Sequence, residues 1–296
     1  KDLEKAGQVG TASTYTSTQT SFRQFYKKKT LPFTSITPKL LREYETYMRV
    51  EGRSVTTISM YIRCVRRLFN LAIQSGDVKG EYYPFGDADN GLYEVPEGRN
   101  VKKALSKQDV KRIITFPTLE GSPEQFYRDI WTFSYLSNGM NLADIFRLKY
   151  KNIDSDTIVF VRHKTSHNRK PVPILVEKLP ELKEIIEKWG NKPATPENYV
   201  FNILTGKLTP AQEMAKIKQA TKLLNKYIGR IAKKAGINGK VTSYTARHSF
   251  ATVLKLEGEN VAYISEALGH SNLKTTENYL KSFDRQARKN AAKKLL

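Results

Sequence analysis

Apolar residues recur at helical spacing over most of the chain. Phe22, Phe25 and Tyr26 predict a helix from about Tyr15 to Lys29, closed by Pro32. Thr37-Pro38 is an N-cap followed by proline at the first helical position, and it opens a second helix that Gly52 ends. Ser54 caps a third, reaching about Gln74, with Ile58, Tyr61, Ile62, Val65, Leu68 and Phe69 on its apolar face. These three read as a small helical bundle. Residues 10–21, rich in Ser and Thr, read as a linker running into the first helix.

Periodicity then fails over residues 80–103, which hold Pro, Gly and a loose acidic cluster. Beyond them Ser106, with Asp109, caps another helix, and a longer one spans about Pro123–Ser137. Two apolar runs, Thr157–Val161 and Pro171–Leu175, flank the basic, polar stretch His163–Lys170 and predict a β-hairpin. The rest reads as helical: a long helix at about Pro210–Lys234 and shorter ones near 245–256, 261–268 and 273–282. The expected organisation is a linker-like start (1–13), a helical domain (14–85), an interdomain linker (86–100), a mixed α/β domain (101–284) and a tail (285–296). The fold class is mainly α with one small hairpin, in two domains.

The length of 296 residues agrees with two domains. No apolar run approaches the roughly 18 residues that cross a bilayer, and no secretory core is present, so a membrane or secreted protein is not expected. One cysteine, Cys64, leaves no internal disulfide and no Cys-based zinc site. The expected home is a reducing cytoplasm. Charge adds most. Fifty Lys and Arg against 29 Asp and Glu give +21. Residues 101–296 carry 35 basic and 18 acidic side chains, against 15 and 11 in residues 1–100. A surplus of that size repels itself unless a polyanion neutralises it. Nucleic acid leads, although ribosomal proteins and binders of anionic membranes share the signature.

No Gly-rich phosphate loop and no carboxylate cluster suited to magnesium stands in the chain. His163 and His167 are four apart on a hairpin, where that spacing does not bring them together as a metal pair. No metal and no cofactor is expected. Metal-free phosphoryl transfer needs a protein nucleophile, cations on the non-bridging oxygens and a proton donor for the leaving oxygen. Arg247, His248, His270 and Tyr279 cluster in the C-terminal third.

The stretch RHSFAT, then LGH, then a tyrosine nine residues after that histidine resembles the tyrosine recombinase (phage-type integrase) family. The hairpin's HKT is similar to the family's catalytic-lysine turn, and NGMNLADIF resembles its TGLR-x-x-E-L segment; other details are similar to integrases of conjugative transposons. The resemblance covers the chain from about residue 15. It implies a SAM-like core-DNA-binding bundle before the catalytic domain, the two closing on duplex DNA like a clamp. It also implies roles: Tyr279 attacks the scissile phosphate to form a 3′-phosphotyrosine, Arg247 and His270 stabilise the phosphate charge, and Lys164 protonates the 5′-oxygen. The implied activity is site-specific recombination for a mobile element, by a homo-tetramer on DNA from protomers that are monomeric in solution, with accessory DNA-bending proteins and association with the nucleoid. The tail at 285–296 is expected to pack on a neighbouring protomer. The start at Lys1 suggests a fragment, with an arm-binding domain removed or upstream.

Two positions depart from the family pattern. Asn141 stands where its first arginine would be, with Arg128 and then Arg147 as candidate replacement cations. Tyr244 stands in place of the family's histidine three residues before Arg247. A plainer reading makes Arg247 an ion-pair partner of Glu257 or Glu259, and His248 reads as a structural residue. Arg63, Arg66 and Arg67, with Thr57 and Tyr61, border the third helix's apolar face and are expected to touch DNA. The alternatives are a DNA-binding relative without catalysis and a type IB-like topoisomerase.

Overall fold

The described part of the first hundred residues forms four helices: α1 (Asp2–Lys5), α2 (Val9–Tyr26), α3 (Pro38–Val50) and α4 (Val55–Gln74). The structure is a computed structural model that describes residues 2–5, 7–98, 104–166, 171–270, 272–273 and 275–276. Its chain divides into two compact units, residues 1–101 and 102–296. In the first, Thr37 accepts a hydrogen bond from the Leu40 amide and Ser54 from the Thr57 amide, satisfying donors that a helix start leaves open. The core gathers Phe22, Leu41, Tyr44, Ile58, Ile62 and Phe69. Tyr44 stacks on Phe22 at 3.8 Å between ring centroids and shares a 2.7 Å hydrogen bond with Ser21. Burial pushes the Tyr44 phenol up to about 12.

Two expectations for this unit are corrected. The Ser/Thr stretch taken as linker is helical from Val9, and the start at 1–13 already holds α1. Thr14, Thr16, Thr18 and Thr20 each donate to the carbonyl four residues back, so hydroxyls that compete with a helix elsewhere are absorbed within it. Nor does the bundle end at 85. Phe85 and Tyr93 are buried in its core and bridge to one another, the Tyr93 hydroxyl donates to Glu45 at 2.5 Å, and Arg42 donates to the carbonyls of Gly91 and Leu92. Most of the expected linker is therefore folded onto α3.

The second unit runs α5 (Lys107–Ile114), α6 (Pro123–Leu136), the short α7 (Leu142–Ile145), β1 (Thr157–Val161), β2 (Pro173–Glu177), α8 (Pro180–Trp189), α9 (Pro210–Lys234), α10 (Ser243–Glu257) and α11 (Val261–Ala267). α6 lies at its centre, packed by α8, α9 and α10, with Ile130, Trp131 and Phe133 wholly buried. Removing these from water supplies on the order of 2–3 kcal/mol each. β1 and β2 pair antiparallel with Phe160 opposite Ile174 and Ile158 opposite Val176, which sends these four inward. That inward parity starts β2 at Pro173, two residues after the expected start, because Pro171 and the exposed Val172 have no partner beyond Val161. The architecture is mainly helical with one small antiparallel sheet, in agreement with the expected fold class.

Candidate active site

Arg247 sits on α10, whose first turn is held by reciprocal Thr242 and Thr245 contacts and pinned to α6 by the Trp131 indole N–H donating to the Thr242 carbonyl at 3.0 Å. Its side chain is 2% exposed. Nη1 donates to the Gly139 carbonyl at 2.9 Å, and Nη2 donates to the Leu268 carbonyl and to His270 Nε2 at 3.2 Å. The 137–141 loop approaches so closely that a Cβ on Gly139 would lie 2.9 Å from the Arg247 Cα, and Gly139 also has φ of +62°. Only glycine fits there without strain.

α11 ends in the LGH turn. Gly269 has φ of +63°, and a Cβ on it would meet Ile174 Cδ1 at 2.3 Å and Arg162 Cδ at 3.1 Å. The His270 amide donates to the Ser265 carbonyl, which fixes the ring's approach. A guanidinium only donates, so the contact with Arg247 makes Nε2 an acceptor. The ring proton then sits on Nδ1, 2.9 Å from the buried Thr276 hydroxyl. His270 is held down at about 4, first by burial and then by the positive charges of Arg247, Arg162 and Lys164. It is a neutral imidazole at physiological pH.

Lys164 is exposed on a short helical turn, His163–Thr165, right after β1. Asp144 anchors that turn by accepting the His163 amide at 2.9 Å. Three cations thus converge on one neutral histidine, an arrangement that stabilises an anion placed among them. Among the described residues, no group of three or more His, Cys, Asp or Glu side chains is placed to hold a metal ion.

The other candidates fall elsewhere. Arg128 is not brought to Arg247 and His270: Nε and Nη2 donate to Asp129 Oδ1 and Nη1 to the Phe116 carbonyl, while Trp189 donates to Asp129 Oδ2. Arg147 donates to the Ala143 carbonyl and pairs with Glu213. Glu257, a candidate ion-pair partner of Arg247, pairs with Lys107 at 3.1 Å. Asn141 precedes α7 as its N-cap residue, its carbonyl accepting the Asp144 and Ile145 amides. Tyr244 is 48% exposed and meets the His248 ring edge-on at 5.0 Å. Arg63, Arg66 and Arg67 are exposed along α4, with Thr57 and Tyr61 half-buried beside them. Tyr279, His167, the helix expected at 273–282 beyond residue 276, and the tail lie outside the described residues. Asp144 and Arg162 escaped the sequence reading.

Residues 1–90 match the phage integrase SAM-like domain and residues 103–286 match the phage integrase family, so the chain belongs to that family. Its class is the site-specific tyrosine recombinases. The chain is 27% identical to the tyrosine recombinase XerA of Thermococcus kodakarensis, over 82% of this chain and 90% of that one. It is 24% identical to the tyrosine recombinase XerD of Listeria innocua, over 80% and 75%. Its fold is similar to the Tn1549 transposon integrase in complex with transposon right end DNA (TM-score 0.61, 16% identity, 94% and 91% covered). It is similar as well to a lambda integrase dimer bound to a COC′ core site (TM-score 0.64, 15% identity, 96% of each chain). Among the described residues no helix is long and apolar enough to cross a membrane.

Proposed function

We propose that this recombinase serves a mobile element, cutting and rejoining double-stranded DNA through a 3′-phosphotyrosine on Tyr279. The Tyr279 oxygen attacks the scissile phosphorus as its proton passes to Nε2 of the neutral His270. The bond to the 5′-oxygen breaks, and Lys164 gives that oxygen a proton. Arg247 and the imidazolium that His270 becomes hold the non-bridging oxygens while charge builds. The new ester keeps the bond energy, so a 5′-hydroxyl from another strand reverses the step without ATP.

The observation that carries this reading is the buried Arg247 guanidinium bridging the Leu268 carbonyl and His270 beside the Lys164 turn. Family membership and the +21 charge support double-stranded DNA as the partner, as do the DNA complexes of the Tn1549 and lambda integrases. Arg63, Arg66 and Arg67 contact phosphates from α4, with Thr57 and Tyr61 at the groove edge. Tyr244 adds a hydrogen bond to the phosphate. The protomer is monomeric in solution and forms a tetramer on DNA through its tail, with accessory bending proteins, in the bacterial cytoplasm and at the nucleoid.

The test is covalent trapping. Nicked duplexes from the ends of the element are incubated with the protein in EDTA and separated on denaturing and native gels. A covalent protein–DNA band that Tyr279→Phe abolishes is expected. A native shift with no covalent band from the unaltered protein would favour the DNA-binding relative without catalysis.

A further inference from the structure

We propose that Arg162 supplies the positive charge on the scissile phosphate that Asn141 cannot; the inference rests on the recombinase reading above. Inward positions of β1 alternate as Ile158 and Phe160, and Arg162, still in extended backbone, continues that parity toward the LGH turn. Its stem reaches the turn: a Cβ on Gly269 would lie 3.1 Å from Arg162 Cδ. Nη1 donates to the Gly269 carbonyl at 3.4 Å, while Arg247 donates to the Leu268 carbonyl. Two guanidiniums therefore sit on successive carbonyls of the turn that delivers His270.

Arg162 is underserved where it stands. It is half-buried, its one hydrogen bond is long, its Nε is buried with no partner among the described residues, and no carboxylate there pairs with it. A guanidinium with five donors and so few partners is costly unless an anion arrives to accept from it. The other candidates to replace the missing arginine are already satisfied, Arg128 by Asp129 and Arg147 by Glu213. The depressed pKa of His270, to which Arg162 contributes, agrees with their proximity. Arg162 thus acts as a catalytic residue, donating to a non-bridging oxygen with Arg247 beside it.

The experiment uses nicked duplexes carrying either the natural scissile phosphate or a methylphosphonate, in which a methyl group replaces one non-bridging oxygen and removes its charge. On the phosphate, Arg162→Ala is expected to slow covalent-complex formation on the order of a hundredfold while native-gel binding persists, and Arg162→Lys to recover part of the loss. On the neutral substrate the deficit of Arg162→Ala should shrink to less than about tenfold, because the charge it would have met is gone. A merely structural role would give equal deficits on both substrates, and that result, or trapping as fast as the unaltered protein, overturns the proposal. Should Arg162→Ala fail to fold, Arg162→Lys on the same two substrates makes the same comparison. If the unaltered protein forms no covalent complex on either duplex, the recombinase reading fails first and takes this inference with it.

Discussion

Arg128 on α6 and Arg162 after β1 are both half-buried, and the second unit treats them in opposite ways. Arg128 has a carbonyl and a carboxylate closing around it, and a tryptophan tethers that carboxylate in turn. Among the described residues Arg162 has one long side-chain hydrogen bond, and it shares its surroundings with two further cations. A guanidinium neutralised in place supports the fold, whereas one left with unmet donors beside other cations is prepared for an anion from outside. The difference separates structural from functional arginines without reference to sequence position.

Arg247→Ala tests the functional side hardest. It removes the bridge to Leu268 and His270, and covalent trapping should fall on the order of a thousandfold. Arg128→Ala tests the other side. It strands the buried Asp129, so thermal or urea unfolding should show a loss of about 3–5 kcal/mol, while trapping by the protein that remains folded stays near normal. A large fall in trapping with unchanged stability would erase the contrast. Gly269→Ala sits between: its left-handed backbone and contacts with Ile174 and Arg162 predict about 1–3 kcal/mol lost together with weaker trapping.

His270 gives a smaller effect with a defined sign. Its pKa falls from 6.5 to about 4 in the folded protein, so protons favour the unfolded chain. Its stabilising contribution is complete above about pH 6.5 and is lost as pH drops toward 4, about 1 kcal/mol for a group still partly in contact with water. Melting curves of His270→Gln should be flatter than those of the unaltered protein across that window. Smallest of all, alanine at Arg63, Arg66 or Arg67 should leave stability unchanged and lower the salt dependence of DNA binding by about one ion each.

Helix starts were legible where one side chain does the work, as at Thr37, Ser54 and Ser106. The constellation of Arg247, His270 and Lys164 was legible through spacing and resemblance. Non-local contacts were not. Nothing in GDADNGLYE announces that Tyr93 reaches Glu45, and a threonine-rich stretch reads as linker until each hydroxyl finds the carbonyl four residues back. Arg128 misled because adjacent residues on a helix do not normally face one another, yet it folds onto Asp129. Arg162 could have been found: continuing the strand's alternation one residue past Val161 turns it inward.

Tyr279, nine residues past His270, is the residue proposed to take the phosphate. Protease digestion and mass spectrometry of the trapped adduct test it most directly. A 3′-linked nucleotide is expected on the peptide containing Tyr279 and on no other tyrosine. An adduct on any other residue, or none from protein that binds the duplex in a native gel, would contradict it.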